Sequence, residues 1–230
     1  MVTTTGYEEL PGLIARMTGD EKHSVAAEST VDVLWVLYDR VLKIAPATAH
    51  HARRDRFLLS KGHGPMAYYA VLAAKGFLTE GELDGWAGRD SRLGMHPDRT
   101  RVPGVEISSG SLGHGLPIAV GTALGLRAQR IPSKVVVLVG DAELDEGSNE
   151  EAIAFAGRAG LEKLTTVVVD NASATHGWPG GIAARFEVEG WATRTVDGRD
   201  HDALYAVFTA EHPGRPLAVV ATVEPKELAA

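Results

Sequence analysis

Val135-Val-Val-Leu-Val139 runs into Gly140-Asp141-Ala142, and Thr165-Thr-Val-Val-Val169 runs into Asp170-Asn171. Both runs are short and rich in β-branched residues, which suits strands buried on both faces. Between them, Asn149 to Gly160 reads as a helix. Val196 follows Trp191, a helix is expected from about Asp200 to Glu211, and Pro216 to Val223 gives one more apolar strand. Alternating strands and helices predict an α/β fold on a parallel sheet with helices on both faces. Ligands of such sheets sit beyond the carboxyl ends of the strands, so the loops that start at Gly140 and Asp170 are where a site is expected.

Toward the N-terminus, Leu34, Leu37, Tyr38, Val41 and Leu42 recur at spacings of three and four, so Val31 to Ile44 is read as a buried helix. A second helix is expected from Met66 to Lys75, ending at Gly76, and Thr79 with Glu82 forms a capping-box pattern that opens a shorter one. Gly88 to Gly110 mixes Pro, Gly, Ser and charge without a period, which predicts a long functional loop. With no repeat, no low-complexity tract and no linker-like boundary, residues 1–230 are expected to form a single domain.

Composition narrows the function. The chain has 230 residues, 23 Lys plus Arg, 30 Asp plus Glu, a formal charge of −7 and no cysteine. Disulfides, thiolate metal sites, catalytic thiols and cysteine redox motifs are therefore excluded, leaving His, carboxylates and amides as metal ligands. An acidic balance, with a pI near 5.7, argues against nucleic acid and anionic membrane surfaces as partners. No apolar run approaches the length of a membrane span, and Met1 to Asp20 is polar, so a soluble, unexported, cytoplasmic protein is expected.

Asp141 and Asn171 stand 30 positions apart at the ends of consecutive strand patterns. Magnesium is a hard cation that takes oxygen ligands and usually keeps phosphate oxygens in its remaining positions. A carboxylate from Asp141, the amide oxygen of Asn171 and the backbone carbonyl of Ser173 would supply three protein ligands. Spacing alone favours the plainer alternative, an aspartate that caps a helix and an asparagine that makes a turn.

Several further words stand in order along the chain: His23 ahead of Val31-Asp-Val-Leu34, Arg53-Arg-Asp-Arg-Phe-Leu-Leu-Ser-Lys-Gly-His63-Gly64, and Met95-His96-Pro97. Pro103-Gly-Val-Glu106, Gly110-Ser-Leu-Gly-His-Gly115, Gly140-Asp141 with Glu146-Gly147, and Asp170-Asn171 follow. Together they resemble the N-terminal half of transketolase over most of the chain. The resemblance implies a thiamine diphosphate-binding fold, with thiamine diphosphate and Mg2+ as cofactors. It implies that His63 contacts the cofactor diphosphate, while His23 and His96 line the substrate channel and bond sugar hydroxyls. Gly110 and Leu112 would hold the aminopyrimidine, with His114 standing where transketolases usually carry Gln. Gly140, Asp141, Ala142 and Asn171 would form the diphosphate and metal end, Ala142 replacing the usual third glycine. Glu146 matches an acidic position at the subunit interface, where it joins a carboxylate relay between active sites.

The likeness has departures. Lys22-His23-Ser24-Val25 differs from the family's Gly-His words, and Ala172 to Gly181 differs from the short apolar stretch that usually follows the metal asparagine. The Gly-rich turn and further histidine that follow the last strand in the family are missing, and so is the pyrimidine-binding domain with its catalytic glutamate. The resemblance thus implies the N-terminal subunit of a split transketolase. Such a subunit would move a two-carbon ketol unit between sugars or sugar phosphates, and would need a C-terminal transketolase subunit for activity. A homodimer of this chain within a heterotetramer is the expected assembly. The α-subunit of a 2-oxo acid dehydrogenase shares the metal motif but lacks Ser-Lys-Gly-His-Gly and Met-His-Pro. A non-catalytic scaffold or regulatory subunit is the other alternative, favoured by Ala142 and by the surroundings of His23.

Overall fold

Five segments pair into one sheet; four are runs of mainly β-branched and aliphatic residues that alternate their side chains between two cores, and the fifth, at the edge, buries Ala192 and Val196 against one of them. The computed structural model of the chain describes residues 5–19 and 27–225. The strands are β1 (Arg56–Leu59), β2 (Val135–Gly140), β3 (Leu164–Asp170), β4 (Ala192–Asp197) and β5 (Leu217–Thr222). They lie in the order β1-β2-β3-β5-β4, every pair parallel. Phe57, Leu59, Val136, Leu138, Val167, Val169, Leu217 and Val219 face one core. Leu58, Val135, Val137, Val139, Leu164, Val168 and Ala218 face the other. This period of two within uniformly apolar runs is what a sheet covered on both sides requires.

Helices cover both faces, as the alternating pattern predicts. Against the first core lie α1 (Leu10–Ala15), α2 (Val31–Val36), α3 (Pro65–Ala74) and, later in the chain, α8 (His201–Thr209). The short α4 (Glu80–Leu83) adds Leu83 to that core. Against the second lie α5 (Gly115–Ala128), α6 (Gly147–Arg158) and α7 (Gly181–Glu187). All ten positions of α3 are buried, because α1 and α2 pack over its outer side. The helix expected from Val31 to Ile44 instead passes at Leu37 into a wider turn, Leu37–Val41, closed by Leu42 N–H on the Leu37 carbonyl at 2.8 Å.

Helix ends follow their capping chemistry. The Asp200 carboxylate accepts the N–H groups of Asp202 and Ala203 at 3.0 and 2.9 Å to open α8. Thr79 and Glu82 form the expected capping box, with Thr79 N–H on the Glu82 carboxylate at 2.8 Å and the Thr79 hydroxyl at 2.9 Å. β1, α5 and α7 do not stand out from periodicity, for physical reasons. β1 is four residues long, α7 is seven, and α5 carries Gly115, Gly121 and Gly125, which dilute its apolar face. Gly88 to Gly110 is free of helix and strand, as expected. It is tied down by Asp98, which accepts from Thr100 N–H at 2.8 Å and Ser108 Oγ at 3.2 Å. The ion pair of Arg54 with Glu106, at 2.5 Å, ties it to the segment before β1.

The capping box titrates. Burial pushes the Glu82 carboxyl up, but the N–H and hydroxyl of Thr79 and the ion pair with Arg92 outweigh that and hold it below its ordinary value of 4.5. A carboxyl depressed in the folded state stabilises above its unfolded pKa, and the benefit is lost as pH falls through the folded value. Glu82→Ala is therefore expected to cost about 1 kcal/mol near neutral pH. Chemical unfolding of both proteins across an acid titration should show that difference shrinking below the ordinary value.

Candidate functional site

The parallel register fixes where the chemistry can gather. Gly140 of β2 pairs with Val169 of β3, so Asp141 and Asn171 leave adjacent strands at the same sheet edge, and Asp141 N–H donates to the Val169 carbonyl at 3.1 Å. Asp141 is 1 % exposed. Its carboxylate accepts Ser173 N–H and Ser173 Oγ–H, each at 2.6 Å, and Ala174 N–H at 3.1 Å. The chain reaches it by a tight bend at Ala172, whose φ is +55°.

Asn171 is also buried, and its Oδ1 has no hydrogen-bond partner. A buried amide oxygen without a donor costs free energy that a bound cation would recover. Beside the Asp141 carboxylate it makes a donor set made wholly of oxygen, which suits a hard divalent cation. Among the described residues no group of three or more His, Asp or Glu surrounds a metal on its own. One carboxylate and one amide leave coordination positions open, so these residues would fit a hard divalent cation that also takes oxygens of a ligand.

Two more loops complete the edge. The segment after β1 carries Ser60, Lys61, Gly62 and His63, and the turn Gly110 to His114 opens α5. A methyl group at Gly62 would lie 3.2 Å from Leu112 Cδ2, which brings the two loops into contact. Gly110, with φ +120°, approaches His96 so closely that a Cβ there would lie 2.7 Å from the imidazole Cγ. Gly113, with φ +79°, sits against Glu146, and a methyl group on it would lie 2.6 Å from the Glu146 Cβ. His96 with Gly110, Leu112 with the His63 loop, and Glu146 with Gly113 are thus brought together around the strand ends that carry Gly140, Asp141, Ala142 and Asn171. His63, His96, His114 and Glu146 are exposed. His23 lies outside the described residues.

Other groups at this edge do not stand out in the sequence. Lys61 is buried, with its stem over Gly140, 3.4 Å from a Cβ built there, and its ammonium donates to the His63 carbonyl at 3.3 Å. Glu143 is 1 % exposed. Its Oε1 accepts the Ser60 hydroxyl and Gly113 N–H, the latter at 2.9 Å, and its Oε2 accepts Gly140 N–H at 3.3 Å. Burial pushes its carboxyl above the ordinary range, against the pull of those donors and of Lys61. Asp145 accepts Thr175 N–H at 3.3 Å and His176 N–H at 3.4 Å, pinning the segment after Asn171. In the sequence Glu143 is one acidic residue among Asp145, Glu146 and Glu150, and its burial distinguishes it. A separate cavity of about 360 Å3, lined by Arg130, Ile131 and Lys163 among others, lies at the opposite edge and holds none of the site residues.

The chain is thus an α/β domain with an oxygen-lined site at the carboxyl edge of a parallel sheet and glycine-rich turns beside it. The sequence pattern described as "Transketolase, thiamine diphosphate binding domain" matches residues 17–223, and the chain belongs to the transketolase family. One relative, named Ferredoxin fas2 from Rhodococcoides fascians, is 60 % identical over 222 residues, which cover 96 % of this chain and 73 % of that protein. The present chain has no cysteine with which to ligate an iron–sulfur cluster. Another, an apulose-4-phosphate transketolase subunit from Actinobacillus succinogenes, is 35 % identical over 206 residues, covering 86 % of this chain and 75 % of the relative. The solved transketolase of Leishmania mexicana superposes with a TM-score of 0.76 at 26 % identity, over 95 % of this chain and 37 % of that one.

The glycine-rich turn offers a direct test of the packing. In Gly113→Ala the new methyl meets Glu146 and Ser148 in a left-handed backbone, whereas Gly147 has open space around it. Thermal unfolding should show Gly113→Ala destabilised by about 2 kcal/mol or more. Gly147→Ala should stay within about 0.5 kcal/mol of the parent protein.

Proposed function

We propose that this chain is the thiamine diphosphate- and Mg2+-binding subunit of a split transketolase, transferring a two-carbon ketol unit from a ketose to an aldose. The observation that carries this reading is the buried, unpartnered Oδ1 of Asn171 beside the Asp141 carboxylate, in a chain of the transketolase family. Asp141, Asn171 and the Ser173 carbonyl hold the metal. His63 and the backbone at Gly140 and Ala142 meet the diphosphate, and Gly110, Leu112 and His114 take the aminopyrimidine end. Thiamine diphosphate, when bound, supplies the electron sink that lets a ketose carbon–carbon bond break.

The chain's own residues bind, orient and move protons. An imidazole can both donate and accept near neutral pH, so His23 and His96 are suited to position sugar hydroxyls and shuttle a proton to or from them. The Asp141 carboxylate, with three donors already on it, holds the Ser173 turn in place before any ligand arrives. Glu146 is exposed beside Gly113, which supports giving it the subunit-boundary role that the transketolase resemblance implies.

The partner is a C-terminal transketolase subunit with the pyrimidine-binding domain, joined to a homodimer of this chain in a heterotetramer. The relative from Actinobacillus succinogenes, itself named as one subunit of a transketolase, supports that division. Its name makes a sugar phosphate the first substrate class to test. The proposed compartment is cytoplasmic, and among the described residues no helix is long and apolar enough to cross a membrane.

Calorimetry on the assembled subunits should show Asp141→Ala weakening thiamine diphosphate binding about a hundredfold, because diphosphate and metal charges are then left unbalanced. Unchanged affinity would remove Asp141 from the site. Ketol transfer measured with saturating cofactor should be absent for this chain alone and rise to a plateau near one partner per chain. Full turnover without a partner contradicts the split site. Binding without ketol transfer at any ratio favours a regulatory subunit, and 2-oxo acid decarboxylation favours the dehydrogenase subunit.

A further inference from the structure

Three segments of the site converge on one carboxylate. Ser60 belongs to the loop after β1 that leads to His63, Gly113 to the glycine-rich turn before α5, and Gly140 to the end of β2 that delivers Asp141. All three donate to Glu143. Ser60 extends the connection by accepting Gly115 N–H at 3.0 Å, and Asn149 Nδ2 fixes the Glu143 carbonyl at 2.6 Å. Burying a carboxylate costs free energy unless donors fill its oxygens, and an apolar side chain of similar size would occupy the space without that cost. What the carboxylate adds is the collection of donors from two separate loops and from the end of the strand that precedes it.

The glycine-rich turn has need of such an anchor. Gly110 and Gly113 both lie in the left-handed region, where released glycine has the most conformational freedom to regain. Gly113 makes its backbone hydrogen bonds to side chains: its N–H donates to Glu143, and its carbonyl accepts Ser148 Oγ–H at 2.7 Å.

We propose that Glu143 is a positioning residue that fixes the Gly110–Gly115 turn against the end of β2, holding the ring end of the thiamine diphosphate site at a set distance from its metal and diphosphate end. The assignment rests on the cofactor reading given above. The anchor acts unequally on the two ends of the ligand. Its loss frees Gly113 in the turn that meets the ring and also the Ser60 and Gly140 contacts beside the diphosphate end. Asp141 and Asn171 keep their own strands and the Ser173 turn, so the ring end loses more.

Glu143→Leu, Glu143→Gln and Ser60→Ala in the full chain, assembled with its partner, test this by two measurements. The first is hydrogen exchange of residues 110–116 against residues 135–139. The second is affinity for Mg2+ with thiamine diphosphate compared with Mg2+ and inorganic pyrophosphate. In Glu143→Leu, exchange at 110–116 should rise about tenfold and thiamine diphosphate affinity should fall about tenfold, while pyrophosphate affinity falls by a clearly smaller factor, about threefold or less. Glu143→Gln keeps an oxygen for Ser60 and Gly113 and should recover most of both losses, and Ser60→Ala should shift both in the direction of Glu143→Leu. If Glu143→Leu does not fold, Ser60→Ala decides by the same two measurements. Equal weakening of both ligands, or unchanged exchange at 110–116, overturns the assignment. A parent protein that fails to bind thiamine diphosphate at all overturns the cofactor reading instead, and the exchange result still judges the anchor.

Discussion

The parallel pairing of β2 with β3 is the constraint on which the site depends. Because the strands run in the same direction with Gly140 opposite Val169, the residues that follow each strand emerge side by side. Asp141 and Asn171 become neighbours through sheet register alone, although 30 positions of chain separate them. The apolar runs that stabilise the sheet set that register, since a slip of one residue would turn Val136, Leu138, Val167 and Val169 out of their core. Packing and chemistry are thus coupled through one geometric parameter.

Beyond the strand ends the interior changes character. Ser60, Lys61, Asp141, Glu143, Asn149 and Asn171 are all buried within a few residues of the carboxyl edge. Much of this polarity is paired, which is what makes it tolerable: Asp141 takes three donors from the Ser173 turn, and Glu143 takes Ser60, Gly113 and Gly140. Asn149 Oδ1, Asp145 Oδ1 and Asn171 Oδ1 have no partner, and of these Asn171 is the one that leaves β3 next to the strand carrying Asp141. The paired contacts hold the loops before ligand binding, so less ordering entropy is lost when a ligand arrives.

The sheet was legible because β-branched runs of five residues have few other places to go in a domain of this size, and the Thr79–Glu82 box because its two side chains satisfy one another locally. Strand order was not legible. The chain leaves β3, passes outward to β4 and returns to place β5 between them, and nothing local distinguishes that path from a sequential one. In the site, Asp141 and Asn171 could be read because strand-end position and oxygen chemistry coincide in sequence. Glu143 could not, since it lies among Asp145, Glu146 and Glu150 as one acidic residue of several. Its burial depends on Ser60 and on the turn before α5, contacts 83 and 30 positions away. The tight pairing of Gly110 with His96 is likewise a product of loop packing and not of any spacing.

The central claim is that Asp141 and Asn171 are ligands of one divalent cation that also binds a diphosphate. Anomalous diffraction from crystals of the assembled subunits grown with Mn2+ and thiamine diphosphate measures this directly. The account predicts a single manganese peak within about 2.3 Å of an Asp141 carboxylate oxygen and of Asn171 Oδ1. An ordered diphosphate with no metal at those two atoms, or with its metal on other residues, would contradict it.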